Sequence, residues 1–67
     1  MAIMKSIEVM SESTKSFEDA IQNAVTRTGK TVKDIRSANV KNMKTTVKDG
    51  KIHKFRVNVK ITFEVGE

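Results

Sequence analysis

The sequence contains no cysteine, no proline, no tryptophan and no tyrosine, and its single histidine is His53. Without cysteine there is no disulfide to staple the fold and no thiolate to hold a metal. One histidine rules out a histidine cluster within a chain. No apolar run approaches the roughly 20 residues that a membrane helix needs, and nothing reads as a signal peptide. The expected compartment is therefore cytoplasmic, with no membrane partner. Catalytic constellations are missing too: spacing yields no nucleophile–base pair, no Ser-His-Asp set and no paired carboxylates, so no enzyme is expected. A chain of 67 residues makes one domain, 1–67, and buries only about 60% of its unfolded surface. With disulfides and thiolate metals excluded, oligomerisation is the remaining route to stability.

Charge is plentiful but uneven. Residues 1–25 set Lys5 and Lys15 against Glu8, Glu12, Glu18 and Asp19, a net of −2. Residues 26–67 set eleven Lys/Arg against Asp34, Asp49, Glu64 and Glu67, a net of +7. A basic half attracts anions in general. Nucleic-acid recognition calls for aromatics interleaved with the charge, and the three here, Phe17, Phe55 and Phe63, fall on core faces. The basic half therefore reads as a solvated face, and no nucleic-acid partner is expected.

The clearest pattern is at the end. From His53 to Val65, Phe55, Val57, Val59, Ile61, Phe63 and Val65 occupy every second position, with Lys54, Arg56, Asn58, Lys60, Thr62 and Glu64 between them. That alternation gives a strand with one apolar and one polar face. Thirteen residues span roughly 43 Å at about 3.3 Å each, too long for a small monomer unless the strand bends or pairs with another chain.

Earlier in the chain, Ile3 to Met10 reads as a first strand, with Ile3, Ile7 and Val9 on one face. Residues 11–16 form a polar break ending in Ser16-Phe17-Glu18-Asp19, which has the form of a capping box. Phe17, Ala20, Ile21, Ala24, Val25, Thr28, Val32 and Ile35 then follow helical spacing, predicting a helix over 16–35 with Gly29 as an interior blemish. A second strand runs 37–48. Its apolar residues change face between Val40 and Met43, which predicts a bulge near 41–43. Asp49-Gly50 predicts a tight type I′ hairpin. The fold class is α+β in the order β-α-β-β, a three-stranded antiparallel sheet wrapped on one helix.

In residues 5–25, 30–36, 49–52 and 55–65 the sequence resembles the dodecins, small flavin-binding proteins of the same element order. The resemblance implies a homo-dodecamer, a hollow shell with helices outside and sheets curving inward. It also implies FMN, riboflavin or FAD as candidate cofactors. Flavin-binding dodecins carry a stacking tryptophan after the helix and a hydrogen-bonding glutamine on the polar face of the last strand. The matching positions here are Ser37 and Arg56. The implied function is flavin binding and storage with weakened affinity, because serine has no π-face. The alternative is a shell that binds no flavin and is structural, or takes an anion or a metal ion. Arg56 suits a planar or anionic ligand; equally, it would pair with Glu64 or with an acid of a neighbouring subunit. Asn39, Asn42 and Asp49 are a thin oxygen set for a hard cation, so no metal site is assigned. His53 reads as a solvated or interface residue.

Overall fold

A computed structural model describes residues 2–66. The order is β1 (Ile3–Ser13), α1 (Phe17–Thr28), β2 (Ile35–Lys48) and β3 (Lys51–Val65). The three strands form one antiparallel sheet in the order β1-β3-β2. The sharply alternating last strand is thus the central one, paired along both edges.

Alternation in β3 divides the sheet into two faces. On one face Val57, Val59 and Ile61 are fully buried, under Ala20 and Ala24 of α1. The two alanines let the helix backbone approach the sheet closely, and three β-branched side chains of β3 pack beneath them. Val9, Phe17, Ile21, Ile35 and Ala38 close the rim of this core. Phe17 meets Phe55 edge to face, with ring centroids 5.1 Å apart and an interplanar angle of 76°, a favoured aromatic geometry. Among the described residues no layer covers the other face, which carries the polar residues of β3.

The helix is shorter than its periodicity predicts. It starts as expected: Ser16 is extended, and its Oγ accepts from the Asp19 amide at 3.0 Å. The reciprocal half of the capping box is replaced. Asp19 Oδ2 accepts instead from Ser13 Oγ at 2.6 Å, while Ser13 Oγ accepts from the amides of Lys15 and Ser16 at 2.9 and 3.4 Å. The end differs more. The helix stops at Thr28, with Gly29 at its C-cap, so it spans about 18 Å rather than about 30 Å. Thr28, Gly29, Thr31 and Val32 are all weak helix formers. The chain leaves through bonds from the Thr31 and Val32 amides to the Thr28 carbonyl. Asp34 then takes a left-handed φ of 60°, and its carbonyl accepts from the Glu64 amide at 3.0 Å. That bond joins the returning chain to β3. Ile35 keeps helical spacing because it packs against the core from the first residue of β2, whereas Val32 lines the open groove beside α1.

The hairpin forms as expected, with positive φ at Asp49 (53°) and Gly50 (75°), the signature of a type I′ turn. The register shifts between Val40 and Asn42, leaving Lys41 as the extra residue of the anticipated bulge. Two more shifts make Arg36 and His53 extra residues. The molecule measures 51 Å along its longest axis and 13 Å along its shortest, because the β2–β3 hairpin projects beyond the helix. Its apolar side chains Met43, Val47 and Ile52 are exposed.

Candidate binding face

The uncovered face of the sheet carries the positions singled out in the sequence. Cross-strand partners share a face, so its rows follow from the register. Ser37 lies opposite Thr62, whose hydroxyl hydrogen-bonds Ser6 across β1 at 3.1 Å. Arg56 lies opposite Lys44 on β2 and Glu12 on β1. Between these rows lie Asn58 beside Asn42 and Met10, and Lys60 beside Asn39 and Glu8. Ser37 and Arg56 therefore share a face, but six residues of β3 separate their rows, about 20 Å at the strand rise. One chain does not bring them together. A pocket that uses both has to be completed across chains.

Arg56 is engaged. Its Nε donates to Glu12 Oε1 at 2.7 Å, and its Nη2 contacts the same oxygen. Lys54 Nζ contacts Glu12 Oε2 at 3.4 Å. The hydrogen bond from Arg56 holds the Glu12 carboxyl below the ordinary carboxylate range; desolvation opposes this, and the charges of Arg56 and Lys54 reinforce it. Glu64, the anticipated intrachain partner of Arg56, pairs with Arg36 instead, at 3.0 Å. Sequence reasoning missed Glu12 because it ended the first strand at Met10. The strand continues to Ser13, whose 7% exposure and three hydrogen bonds fix the strand-to-helix junction.

Asn58 Oδ1 is a buried side-chain oxygen without a hydrogen-bond partner among the described residues. Such an atom costs about 1–3 kcal/mol unless a donor or cation reaches it. Asn39, Asn42 and Asp49 do not converge: the asparagines lie in separate rows, and Asp49 sits at the hairpin tip. Among the described residues no group of three or more His, Cys, Asp or Glu is placed to hold a metal ion. His53 is exposed at its bulge. On the helix side, an open groove of about 790 Å³ lies between β1 and α1, lined in part by Ile7, Val9, Ala24, Arg27 and Val32. Among the described residues no helix is long and apolar enough to cross a membrane.

A β-α-β-β chain whose helix covers one sheet face while the other stays open and polar is the arrangement anticipated from the resemblance. The family model described as Dodecin matches residues 3–66. The chain belongs to the dodecin family. Solved dodecins superpose closely on it. A dodecin from Streptomyces coelicolor matches at TM-score 0.93 with 26% identity, covering 98% of this chain and 94% of that one. The tt0972 protein from Thermus thermophilus matches at TM-score 0.94 with 25% identity over 100% and 98%. A calcium-chelating immunodominant antigen from Mycobacterium tuberculosis, a calcium dodecin with a novel calcium-binding site, matches at TM-score 0.82 with 32% identity over 96% and 91%. No curated protein matches the chain. The chain has no tryptophan, and Ser37, the position singled out by the resemblance, adds a hydroxyl to the Ser6–Thr62 row.

Proposed function

We propose that this dodecin is a small-ligand-binding protein, not an enzyme, which sequesters a flavin weakly on the open sheet face of a cytoplasmic homo-dodecamer. The observation that carries this reading is the open face itself. A sheet with one face sealed by α1 and the other left polar, with Ser37 and Arg56 on that open side, is built to receive something there. Assembly is supported by the projecting hairpin, whose exposed Met43, Val47 and Ile52 favour cover from other copies. About 20 Å between the Ser37 and Arg56 rows means that a flavin touching both would sit between subunits. Ser37 supplies a hydroxyl in place of a stacking ring, which accounts for weak affinity. FMN, riboflavin and FAD share the isoalloxazine ring, so all three are candidate ligands. The test is fluorescence titration of purified protein with riboflavin, FMN and FAD, with light scattering on the same sample. Saturable quenching by an assembly of twelve 7.5 kDa chains is expected; a folded monomer, or no quenching at saturating flavin, counts against it.

A second reading has its own support. A relative at 32% identity is described as a calcium dodecin, and Asn58 Oδ1 is a buried oxygen still lacking a partner. Calcium is bound by carbonyl and carboxylate oxygens, and amides of neighbouring rows would supply some of them. Calorimetric titration with calcium, with and without flavin, separates this reading from the first.

A further inference from the structure

The row that contains Arg56 has an internal conflict. Arg56 and Lys44 are direct cross-strand partners, and like charges in that relation destabilise a sheet. Lys54, two residues before Arg56, projects from the same face. Three cations thus crowd the open face near the hairpin, an arrangement that attracts oxyanions. One carboxylate has already taken the place. Glu12 offers Oε1 to the Arg56 fork and Oε2 to Lys54, so both of its oxygens are in use.

Nor is Glu12 loosely tethered. The next residue, Ser13, is buried and bonded to Asp19 Oδ2 at the start of α1. Strand pairing fixes Glu12 directly across from Arg56. The backbone therefore holds the carboxylate in position before any ligand arrives, and an incoming phosphate has to displace it from a charge-assisted bond.

We infer that Glu12 is the specificity-determining residue of the open face. It is a built-in counter-anion that occupies Arg56 and Lys54 and selects against phosphate-bearing ligands in favour of ligands uncharged at that point. The inference refines the proposed ligand face and rests on that face taking a small ligand. It also reverses what Arg56 alone suggests. A free arginine at this position favours FMN over riboflavin; an arginine held by Glu12 does not.

The experiment uses the assembled protein and pyrophosphate, so it does not depend on flavin binding. Pyrophosphate is titrated calorimetrically into wild type, Glu12→Gln and the double variant Glu12→Gln, Arg56→Gln, at low and moderate salt. Light scattering confirms that each remains assembled. Glu12→Gln should bind pyrophosphate on the order of tenfold or more tightly than wild type, since displacement no longer breaks an ion pair and no carboxylate charge repels the incoming anion. The gain should shrink with salt and vanish in the double variant. Glu12→Ser replaces Glu12→Gln if that chain fails to assemble. No gain in an assembled Glu12 variant, or a gain that survives loss of Arg56, overturns the inference. In parallel, the ratio of FMN to riboflavin affinity should rise in Glu12→Gln relative to wild type. Absence of all flavin binding would sink the flavin reading alone and leave the pyrophosphate result to judge Glu12.

Discussion

Replacing Ile61 by alanine tests the packing argument at its most demanding point. Ile61 is fully buried at the centre of β3, in one cluster with Val57, Val59, Ala20 and Ala24. Truncation removes three methyl or methylene groups, and the alanines above cannot move in to fill the space. Buried Ile→Ala changes cost about 2–5 kcal/mol. A domain of this size has about 3–10 kcal/mol of total stability at roughly 0.05–0.15 kcal/mol per residue. Ile61→Ala should therefore remove between a fifth of that and all of it. The adjacent Thr62 points to the open face, where its hydroxyl bonds Ser6 in an exposed pair. Thr62→Ala should cost no more than about 1 kcal/mol. Urea unfolding followed by circular dichroism gives both values, and light scattering reports assembly. Ile61→Ala should lower the midpoint sharply or yield no soluble assembly, with Thr62→Ala close to wild type. Equal effects at 61 and 62 would mean that the strand faces the other way, and the open-face assignment would fall with it.

At Ser37, introducing tryptophan should tighten riboflavin binding about 5- to 150-fold, because one stacked ring contributes about 1–3 kcal/mol; stronger flavin quenching is the readout, and unchanged affinity would show that this position does not touch the ring. Gly50→Ala should destabilise the hairpin by about 1–2 kcal/mol in thermal unfolding, through its φ of 75° alone, since nothing lies within 4 Å of an added Cβ. Acidification should weaken the tie between β1 and β3. The folded-state pKa of Glu12 lies below the ordinary 4.5, so the stability it contributes is full above the ordinary value and is lost as pH falls through the lowered one. The urea midpoint of wild type should drop over that acid window more steeply than that of Glu12→Gln. Ser13→Ala should cost about 1–3 kcal/mol in urea unfolding, because it orphans the Lys15 and Ser16 amides and a bond to Asp19.

The elements were legible in the sequence wherever one periodicity ran without competition. In β3, six apolar residues at spacing two leave no other solution, and Asp49-Gly50 specifies its own turn. The helix end was not legible, because Val32 and Ile35 satisfy helical spacing although Val32 lines a groove and Ile35 reaches the core from β2. The Asp34 turn that separates them has no strong local signal. On the open face, the side of Arg56 followed from parity in β3, whereas Ser37 was singled out by the resemblance alone. Their separation and the partner of Arg56 depend on the β1–β3 register. That register continues through Ser11 to Ser13, residues whose composition reads as a loop. They are strand because β3 supplies the pairing partners, and no local preference shows it.

The three bulges give the β2–β3 hairpin something like a reading frame. Each has a basic side chain as its extra residue: Arg36, Lys41 and His53. Each exchanges the parity that points to the helix. Ile35 faces it, then Ala38 and Val40, then Met43 and Thr45, following their partners Phe63, Ile61, Val59, Val57 and Phe55. Deleting Lys41 alone is therefore only a local shortening: Val40 and Asn42 already occupy consecutive rungs opposite Val59 and Asn58, so the strand would regain plain alternation with Asn42 still outward and Met43 still toward the helix side. Removing a paired residue such as Asn42 instead is a frameshift in side-chain orientation, unless Lys41 is drawn into the vacated rung and the bulge is used up to restore the phase. Related chains should accordingly show single-residue gaps at the three bulge positions, while a gap at a paired position should be found only where a bulge or a second change restores the phase.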